Sequence, residues 1–386
     1  MRILFLTPWY PRENNPATGI YVRDLAIAAS LSNQVLIIHG YCDNNIQRRY
    51  IISEKKENKN IRVVTVKYKS LGRLSYLMFL YSVLYAFKKI KNEFKPDIIH
   101  AHTFLSGLPA IILGKLYKLP VVISEHVFAE KHVYSTSLTQ KVIGVLRRTL
   151  ARLVLNEAGV ITVPSYFLRR YLRSIGVVRR IELLPNIVDT SIFHFRNYNY
   201  KNEKNIKKIL YVGNIHPIKG IFYLLYALKE ISRRRSDFML DIIGDGPIKN
   251  ECMKLVGNLN ITDKVIFHGL KPREEIAKYM KECDFLVLPS LWESFGIVLA
   301  EAMACGKPVV TTLSGGQREF ISKNWGILIP SGDSAALAKA IEYMLDHCDK
   351  FPSRKISRYV ELKFSYEVVS SILNNIYLKM LEEVKN

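Results

Sequence analysis

The chain has 386 residues, of which 49% are hydrophobic, and its mean hydropathy is +0.05. This length allows two ordinary domains, and the composition is typical of a globular protein and excludes a disordered chain. The formal net charge is +22, and residues 1–190 hold 28 of the basic residues against only 12 acidic ones. The N-terminal half is therefore expected to attract anionic partners, such as a lipid surface, nucleic acid or a phosphorylated substrate.

The apolar runs and the cysteines exclude several kinds of segment. No window of 18 apolar residues occurs, so a membrane-spanning helix is not expected. The run from Met1 to Thr7 is too short for a signal peptide and is better interpreted as a first strand. Five scattered cysteines without metal-type spacing argue against a disulfide scaffold or a zinc site and indicate a reducing, cytoplasmic compartment.

Apolar strands alternate with amphipathic helices through the first half of the chain. Strands are predicted at residues 3–7, 34–39, 62–68, 97–102, 121–124, 160–164 and 181–185. Helices are predicted between them at residues 22–31, 74–94, 107–119, 139–156 and 166–174. Short, fully apolar strands that alternate with helices indicate a parallel sheet covered on both faces.

The same rhythm restarts after a polar linker at residues 190–206. Strands are predicted at residues 208–213, 239–244, 265–268, 285–288, 308–312 and 327–329. Helices are predicted at residues 222–235, 248–259, 274–282, 297–305 and 334–345, with a final helix at 366–384. We therefore predict two doubly wound α/β domains, in which ligands lie at the carboxyl ends of the strands.

Residues 284–312 carry the most informative motif of the chain. They are predicted to form a buried strand, a turn, a helix from Ile297 to Cys305 and a second buried strand. Glu301 is the only polar residue of that helix, and Glu293 lies eight residues earlier, in the turn. A buried carboxylate is costly unless it is hydrogen-bonded, and a helix N-terminus favours anions. A nucleoside diphosphate sugar would supply both hydroxyl groups and an anion.

This segment resembles the Glu-x7-Glu motif of the large family of retaining glycosyltransferases with the GT-B fold. The flanking residues fit as well: Pro289-Ser290, Phe295-Gly296, Ala302-Met303-Ala304 and Gly306-Lys307-Pro308. The resemblance implies two Rossmann-like parallel-sheet domains that face each other across a cleft. In this interpretation residues 1–190 bind the acceptor, residues 191–365 bind the nucleotide sugar, and residues 366–386 form a helix that often crosses back to the first domain in this fold.

The resemblance also implies roles for individual residues. Glu293 would contact the donor hexose, and Glu301 would bind the ribose hydroxyl groups. Backbone amides near Gly296, Ile297 and Val298 would face the diphosphate. The alternative is that Glu293 caps the helix and that Glu301 is a core acid satisfied by protein neighbours.

A second phosphate contact is predicted in the loop after the strand at residues 208–213. Gly213, Asn214 and Lys219 are similar to the Val-Gly-Arg-x4-Lys-Gly pattern of the family, with Asn214 in place of the Arg. This departure leaves Lys219 and helix N-termini to neutralise the leaving diphosphate. Gly246, in a Gly-Asp-Gly-Pro turn, is a weaker donor-site candidate. The alternative for Lys219 is a surface charge at the start of a helix.

Two candidates lie in the first domain. Gly19 ends a long loop after the first strand, where the family has a glycine loop near the donor phosphate and the acceptor. His126 follows a strand, and in relatives a His at this position contacts the donor sugar or the developing charge. His100 and His102 also end a strand and are more simply structural.

The resemblance implies a retaining reaction in which the protein supplies positioning and charge stabilisation rather than covalent chemistry. No Asp-x-Asp pair occurs, so a divalent metal is not expected. No cofactor is expected either, because the nucleotide-diphosphate sugar is a co-substrate.

Membrane association is predicted from two features of the N-terminal half. Residues 73–89 are rich in aromatic residues and end in cations, and an arginine cluster follows at residues 147–180. Our hypothesis is that this domain lies against the anionic inner face of a membrane and takes a lipid-linked acceptor. The alternative is a core helix with solvated charges.

The sequence therefore predicts a retaining hexosyltransferase that acts on a glycan or a polyprenyl-lipid-linked acceptor, in surface polysaccharide or glycolipid synthesis. One alternative is a sugar-nucleotide epimerase on the same fold. A basic nucleic-acid-binding protein is the other, but no helix-turn-helix, zinc-finger or RNA-module signature is present, so a nucleic-acid partner is not expected.

Overall fold

The computed structural model describes residues 1–12, 15, 18–70, 72, 75–126, 138–196 and 206–385. The chain divides into two compact units, which we call unit 1 (Met1–Ile187 with Tyr366–Asn386) and unit 2 (Val188–Ser365). The acceptor and donor roles assigned above to the two domains stay predictions.

Unit 1 is built on an eight-stranded sheet. Its strands are β1 (Arg2–Thr7), β2 (Gln34–Cys42), β3 (Tyr50–Lys56), β4 (Ile61–Tyr68), β5 (Ile98–His102), β6 (Val121–Ser124), β7 (Val160–Val163) and β8 (Ile181–Leu183). The spatial order is β3-β4-β2-β1-β5-β6-β7-β8, and every pair is parallel except β3 with β4. The helices are α1 (Ile20–Ser30), α2 (Ser75–Ile90), α3 (Phe104–Tyr117), α4 (Leu138–Asn156) and α5 (Tyr166–Ser174).

Unit 2 is built on a six-stranded sheet that is parallel throughout. Its strands are β9 (Lys207–Val212), β10 (Phe238–Ile243), β11 (Val265–Gly269), β12 (Phe285–Leu288), β13 (Val309–Thr312) and β14 (Gly326–Ile329), in the order β11-β10-β9-β12-β13-β14. Its helices are α6 (Ile221–Ser232), α7 (Lys249–Asn258), α8 (Arg273–Glu282), α9 (Ile297–Ala304), α10 (Ser334–His347) and α11 (Ser353–Phe364). The predicted fold class of two parallel-sheet α/β units is confirmed.

Each sheet has one switch point, where successive strands begin to be added on the opposite side of the first strand. This point lies between β1 and β5 in unit 1 and between β9 and β12 in unit 2. Ligands of open parallel sheets bind beyond the carboxyl ends of the strands at such points. The loops that follow these four strands are therefore the expected positions of a ligand-binding site.

The last helix, α12 (Tyr366–Lys385), packs in unit 1. The Tyr366 hydroxyl donates to Asp24 of α1 at 2.8 Å, and the buried Tyr377 hydroxyl lies 2.6 Å from Nδ1 of His100 in β5. Apolar side chains of α12 join the core between α1 and the sheet. The helix thus covers one face of unit 1.

Candidate functional site

The loops after β9 and β12 meet at the switch point of unit 2. The backbone N–H of Leu291 donates to the carbonyl of Ile218 at 2.7 Å. Gly220 has a φ of 69°, and a Cβ there would lie 1.9 Å from the carbonyl oxygen of Pro289. Only glycine fits this approach, because a side chain would collide with backbone. The contact fixes the position of Lys219 relative to the second loop.

Lys219 and Glu293 form an ion pair across these two loops. Lys219 Nζ donates to Glu293 Oε2 at 2.6 Å, and the side chains are 25% and 12% exposed. The Ser290 hydroxyl lies 3.4 Å from the same carboxylate oxygen. Separate roles were predicted for these two residues, whereas in the structure they are direct partners. Both remain open enough to solvent for a ligand to reach them.

The N-terminus of α9 opens beside this pair. Its N-cap is Gly296, with a φ of 85°, and neither a capping side chain nor an acidic residue in the first turn occupies the helix start. Ile297 and Val298 follow as partly buried residues of that turn. The first backbone N–H groups of a helix lack partners within the helix, and the dipole favours an anion there. The predicted diphosphate position is therefore compatible with the local structure.

Glu301 faces a partner that the sequence analysis missed. Arg273 Nη2 lies 3.3 Å from Glu301 Oε1, and the side chains are 20% and 13% exposed. Arg273 is the first residue of α8, and no motif in the sequence marks it. Its guanidinium satisfies part of the hydrogen-bonding capacity of Glu301, which favours the alternative of a structural acid. The predicted ribose contact stays a prediction.

Gly213, Asn214 and Gly246 lie together beyond β9 and β10. A Cβ on Gly246 would lie 2.4 Å from Asn214 Oδ1 and 2.3 Å from the carbonyl oxygen of Ile215. The backbone N–H of Gly213 donates to Ile243 at 3.0 Å. The turn that contains Gly246 therefore packs tightly on Asn214, which stands where the family has an Arg. None of these three residues brings a charge to the site.

Gly19 has the geometry expected of a loop that closes on itself. It is the N-cap of α1 with a φ of 71°, and a Cβ there would lie 2.3 Å from the carbonyl oxygen of Trp9. Part of the intervening loop, residues 13–14 and 16–17, lies outside the described residues. The role of Gly19 near the donor or acceptor stays a prediction.

His126 is buried beyond β6, at the carboxyl edge of the sheet of unit 1. Its Nε2 lies 3.3 Å from Nδ1 of His102, and its ring packs on Tyr21 with centroids 4.2 Å apart. Burial lowers the pKa of His126 to about 3, so the imidazole is neutral near pH 7. It can offer a hydrogen bond but not a fixed positive charge.

His100, in β5, is held by protein groups at both ring nitrogens. His100 contacts the Tyr377 hydroxyl with Nδ1 and the Ser124 hydroxyl with Nε2, at 2.6 and 2.7 Å. Burial lowers its pKa to about 3. Two strong partners on a fully buried ring indicate a structural role for His100.

Glu125 is a second residue that the sequence analysis did not single out. It is 1% exposed, and its Oε2 accepts the backbone N–H of Phe104 at 2.9 Å, at the start of α3. Burial raises the pKa of Glu125 to about 8. The available signal was a carboxylate at the end of an apolar strand, where burial without a partner is costly.

The aromatic-rich stretch that suggested membrane contact forms α2, which buries one face in the core, and its contact with a membrane stays a prediction. Residues 73 and 74 lie outside the described residues, and α2 buries Met78, Phe79, Val83 and Phe87. More large apolar side chains are exposed on α4 than on α2. No helix within the described ranges combines the length and apolar character needed to cross a bilayer. Among the same residues, no group of three His, Cys, Asp or Glu side chains is placed to hold a metal ion.

Solved structures establish the class of fold. Sucrose-phosphate synthase from Thermosynechococcus elongatus superposes with a TM-score of 0.82 at 23% identity, covering 99% of each chain. Anabaena HepE in complex with UDP and glucose superposes with a TM-score of 0.74 at 19% identity, covering 98% of this chain and 100% of that one. With its two parallel sheets, the protein has the GT-B fold of nucleotide-sugar-dependent glycosyltransferases.

Family models and a curated relative agree with this class. The model for glycosyl transferases group 1 matches residues 195–358, and the model for glycosyltransferase family 4 matches residues 19–192. Alpha-monoglucosyldiacylglycerol synthase of Streptococcus pneumoniae is 26% identical over 324 residues, covering 80% of this chain and 70% of that protein. The chain belongs to the group 1 glycosyltransferases.

Proposed function

We propose that this glycosyltransferase moves a hexose from a nucleotide-diphosphate sugar to a glycan or polyprenyl-lipid-linked acceptor, with retention of anomeric configuration and without a metal ion. The observation that carries the proposal is the Lys219–Glu293 pair beside the open N-terminus of α9. A cation and a helix N-terminus at one switch point suit a diphosphate, and a neighbouring carboxylate suits sugar hydroxyl groups.

In this proposal the donor site lies in unit 2. The diphosphate binds at the backbone amides of Gly296, Ile297 and Val298 and draws the ammonium of Lys219 away from Glu293. Glu293, released from the ion pair, then accepts hydrogen bonds from hexose hydroxyl groups. Lys219 stabilises the charge that develops on the leaving diphosphate, which is the contribution expected of a preorganised electrostatic site.

The other predicted residues have supporting roles in the same proposal. Glu301 binds the ribose hydroxyl groups beside Arg273, while Gly213, Asn214 and Gly246 shape the wall of the nucleotide site. His126, as a neutral imidazole, donates a hydrogen bond to the sugar, and the Gly19 loop covers the phosphates. Retention follows from departure of the diphosphate and attack by the acceptor on the same face of the sugar.

The names of relatives support particular substrates. UDP and glucose in the HepE complex favour a UDP-hexose donor, and the diacylglycerol in the name of the Streptococcus pneumoniae relative favours a lipid acceptor. With the excess of basic residues in the first 190 residues, this supports a peripheral enzyme at the anionic inner face of a membrane, in glycolipid or surface polysaccharide synthesis.

The donor site is tested with Lys219→Ala and Glu301→Ala. Loss of Lys219 should lower turnover of a UDP-hexose by about 100-fold, because one charge-stabilising contact is removed. Glu301→Ala should mainly weaken UDP binding, measured by titration calorimetry. Lys339→Ala, an exposed lysine of α10, is the matched control and should change neither quantity. Normal turnover in both site variants would show that the site is misplaced.

The epimerase alternative is separated by its products. A transferase releases nucleoside diphosphate only when an acceptor is present, whereas an epimerase converts the sugar nucleotide without an acceptor. Chromatography of UDP-hexose incubated with and without a membrane extract distinguishes the two reactions.

A further inference from the structure

A pocket of about 710 Å³ lies in unit 1 beyond the carboxyl end of β5. Its lining includes the start of α3 and the middle of α4, from Ile143 to Leu150. Side chains of Leu105, Ile143, Leu146 and Leu150 make most of its surface apolar. A concave apolar wall of this size suits a hydrocarbon group rather than a free sugar.

The apolar wall continues onto the outer surface of α4. Helix positions facing the sheet are filled by buried residues such as Ala151 and Leu155. The opposite side exposes six large apolar side chains, at 39 to 64% of their surface: Val142, Ile143, Val145, Leu146, Leu150 and Leu153. A contiguous apolar patch of this kind marks an interaction surface. Ile143, Leu146 and Leu150 belong to both the pocket and the patch, so the two are continuous.

Among the described residues that line this apolar pocket, the cation is Arg147. The guanidinium of Arg147 lies 5.5 Å from the centre of the Phe104 ring, and none of the described carboxylates is within ion-pair distance of it. Glu125 is near enough for Arg147 to lower its pKa, but burial outweighs this effect and raises the pKa of Glu125 to about 8, so its carboxyl offsets the charge of Arg147 only in part. A guanidinium that lies over an aromatic ring, with no described carboxylate paired to it, is suited to recognise a phosphate.

We propose that this pocket is the acceptor site and that it takes an amphiphile in which a phosphate joins a hydrocarbon chain to the accepting head group. The phosphate binds Arg147, and the chain lies along Ile143, Leu146 and Leu150. The chain leaves the pocket over the exposed face of α4, which meets the lipid surface. This inference rests on the proposed function and narrows its acceptor to a lipid phosphate.

The test is a binding titration of the whole chain with decyl phosphate below its micelle concentration. Inorganic phosphate and decyl maltoside, a nonionic amphiphile, are the comparison ligands. Decyl phosphate should bind with one-to-one stoichiometry. Both comparison ligands should bind at least about tenfold more weakly, because inorganic phosphate lacks the hydrocarbon chain and decyl maltoside lacks the phosphate. Equal binding of inorganic phosphate, or equal binding of decyl maltoside, would overturn the proposal.

Variants locate the site. Arg147→Gln and Leu146→Glu should each weaken decyl phosphate binding by about tenfold or more. Leu153→Glu is the matched control, because Leu153 is exposed on the same helix but does not line the pocket, and it should leave binding unchanged. Full binding by both pocket variants, or an equal loss in the control, contradicts the assignment. Leu146 and Leu153 are both exposed, so these changes should leave the melting temperature near that of the parent chain.

The same samples distinguish a failure of the acceptor-site proposal from a failure of the donor-site proposal. UDP titration reports the donor site of unit 2 and depends on Lys219 and Glu301, not on α4. Normal UDP binding with no decyl phosphate binding would reject the acceptor site and leave the donor site standing. Decyl phosphate binding without any effect of Lys219→Ala or Glu301→Ala on UDP would reject the donor site instead.

Discussion

Two neighbouring residues at the edge of unit 1 show how burial sets protonation. Glu125 and His126 are both almost fully buried, and burial raises the pKa of the first to about 8 and lowers that of the second to about 3. Both shifts favour the neutral form, because a low-dielectric interior penalises either charge. Near neutral pH this edge of the sheet thus offers hydrogen bonds with little charge of its own.

The raised pKa of Glu125 predicts a pH-dependent effect of Glu125→Gln. The folded chain retains the proton between the ordinary pKa of 4.5 and about 8, while the unfolded chain releases it. Glu125 therefore lowers stability as pH rises through this window, by about 1.4 kcal/mol per pH unit. The Gln variant should gain stability over the parent from pH 5 to pH 8, and the gain should level off above pH 8.

Urea unfolding of parent and variant at several pH values measures this gain. Buried histidines such as His100 and His126 act in the opposite sense, because their lowered pKa removes stability as pH falls from 6.5 towards 3. They are present in both chains, so their contribution cancels in the difference. A difference that stays constant with pH would contradict the assignment to Glu125.

Among individual side chains, those that belong to a motif were predicted from the sequence, and those without a motif were missed. Glu293, Glu301 and Lys219 were found from spacing and resemblance. Arg273 and Glu125 were not, because an Arg at a helix start and a Glu after a strand are common in any sequence. Their partners, Glu301 and the N–H of Phe104, are distant in the chain and are known only from the fold.

At the scale of elements, the donor-site loops depend on the glycine that separates Lys219 from α6. Gly220→Ala should lower the melting temperature markedly, because a left-handed φ costs about 1–2 kcal/mol for a residue with a Cβ and the new methyl collides with Pro289. It should also weaken UDP binding, since Lys219 must move.

Gly257→Ala in α7 is the matched control for this change. A Cβ at Gly257 meets nothing within 4 Å, and the residue is helical. Alanine there should raise stability by about 0.5–1 kcal/mol, because it favours the helix. Differential scanning fluorimetry compares the variants. Equal melting temperatures for both would mean that the loop contact is not as close as described.

Two elements were absent from the predictions for physical reasons. Strand β3 is an edge strand, and its sequence Tyr-Ile-Ile-Ser-Glu-Lys-Lys is largely exposed, so it lacks the apolar run of the buried strands. Helix α11 buries only Ile356, Val360 and Phe364, one residue per turn among charged neighbours. The strands with the clearest prediction, such as β1 and β12, are almost completely buried, and there the apolar pattern is strongest.

At the scale of the molecule, unit 1 is completed by a helix from the far end of the chain. A chain that ends at Ser365 should lose amide-exchange protection in β1, α1 and β5, because α12 no longer covers them. Protection in β9 and β12 of unit 2 should remain. Hydrogen-exchange mass spectrometry measures both, and uniform protection throughout the shortened chain would contradict this prediction.

A milder change tests one contact of the same helix. Tyr377→Phe removes the hydroxyl that pairs with Nδ1 of His100 and leaves a buried polar atom without a partner. This should cost about 1–3 kcal/mol of unfolding free energy while the fold is retained. Denaturant unfolding checks the value, and an unchanged midpoint would mean that the pair contributes nothing.

The alternation of strands and helices predicted the class of fold for the whole chain, because few architectures accommodate a long chain in which strands and helices alternate. The position of α12 followed only from the resemblance, since its apolar stripe would fit any uncovered face. The polar contacts that place it, Asp24 with Tyr366 and His100 with Tyr377, join residues that are 342 and 277 positions apart.

The return of α12 to unit 1 also sets an order of events at the ribosome. Residues 188–365 form a continuous stretch that emerges before α12, so unit 2 can reach its native state while the face of α1 is still bare. Throughout that interval, nascent unit 1 is incomplete and exposes the apolar surface that α12 later covers. Codon changes that slow translation across residues 188–365 should therefore prolong chaperone attachment to the early part of the polypeptide, without altering the mature molecule.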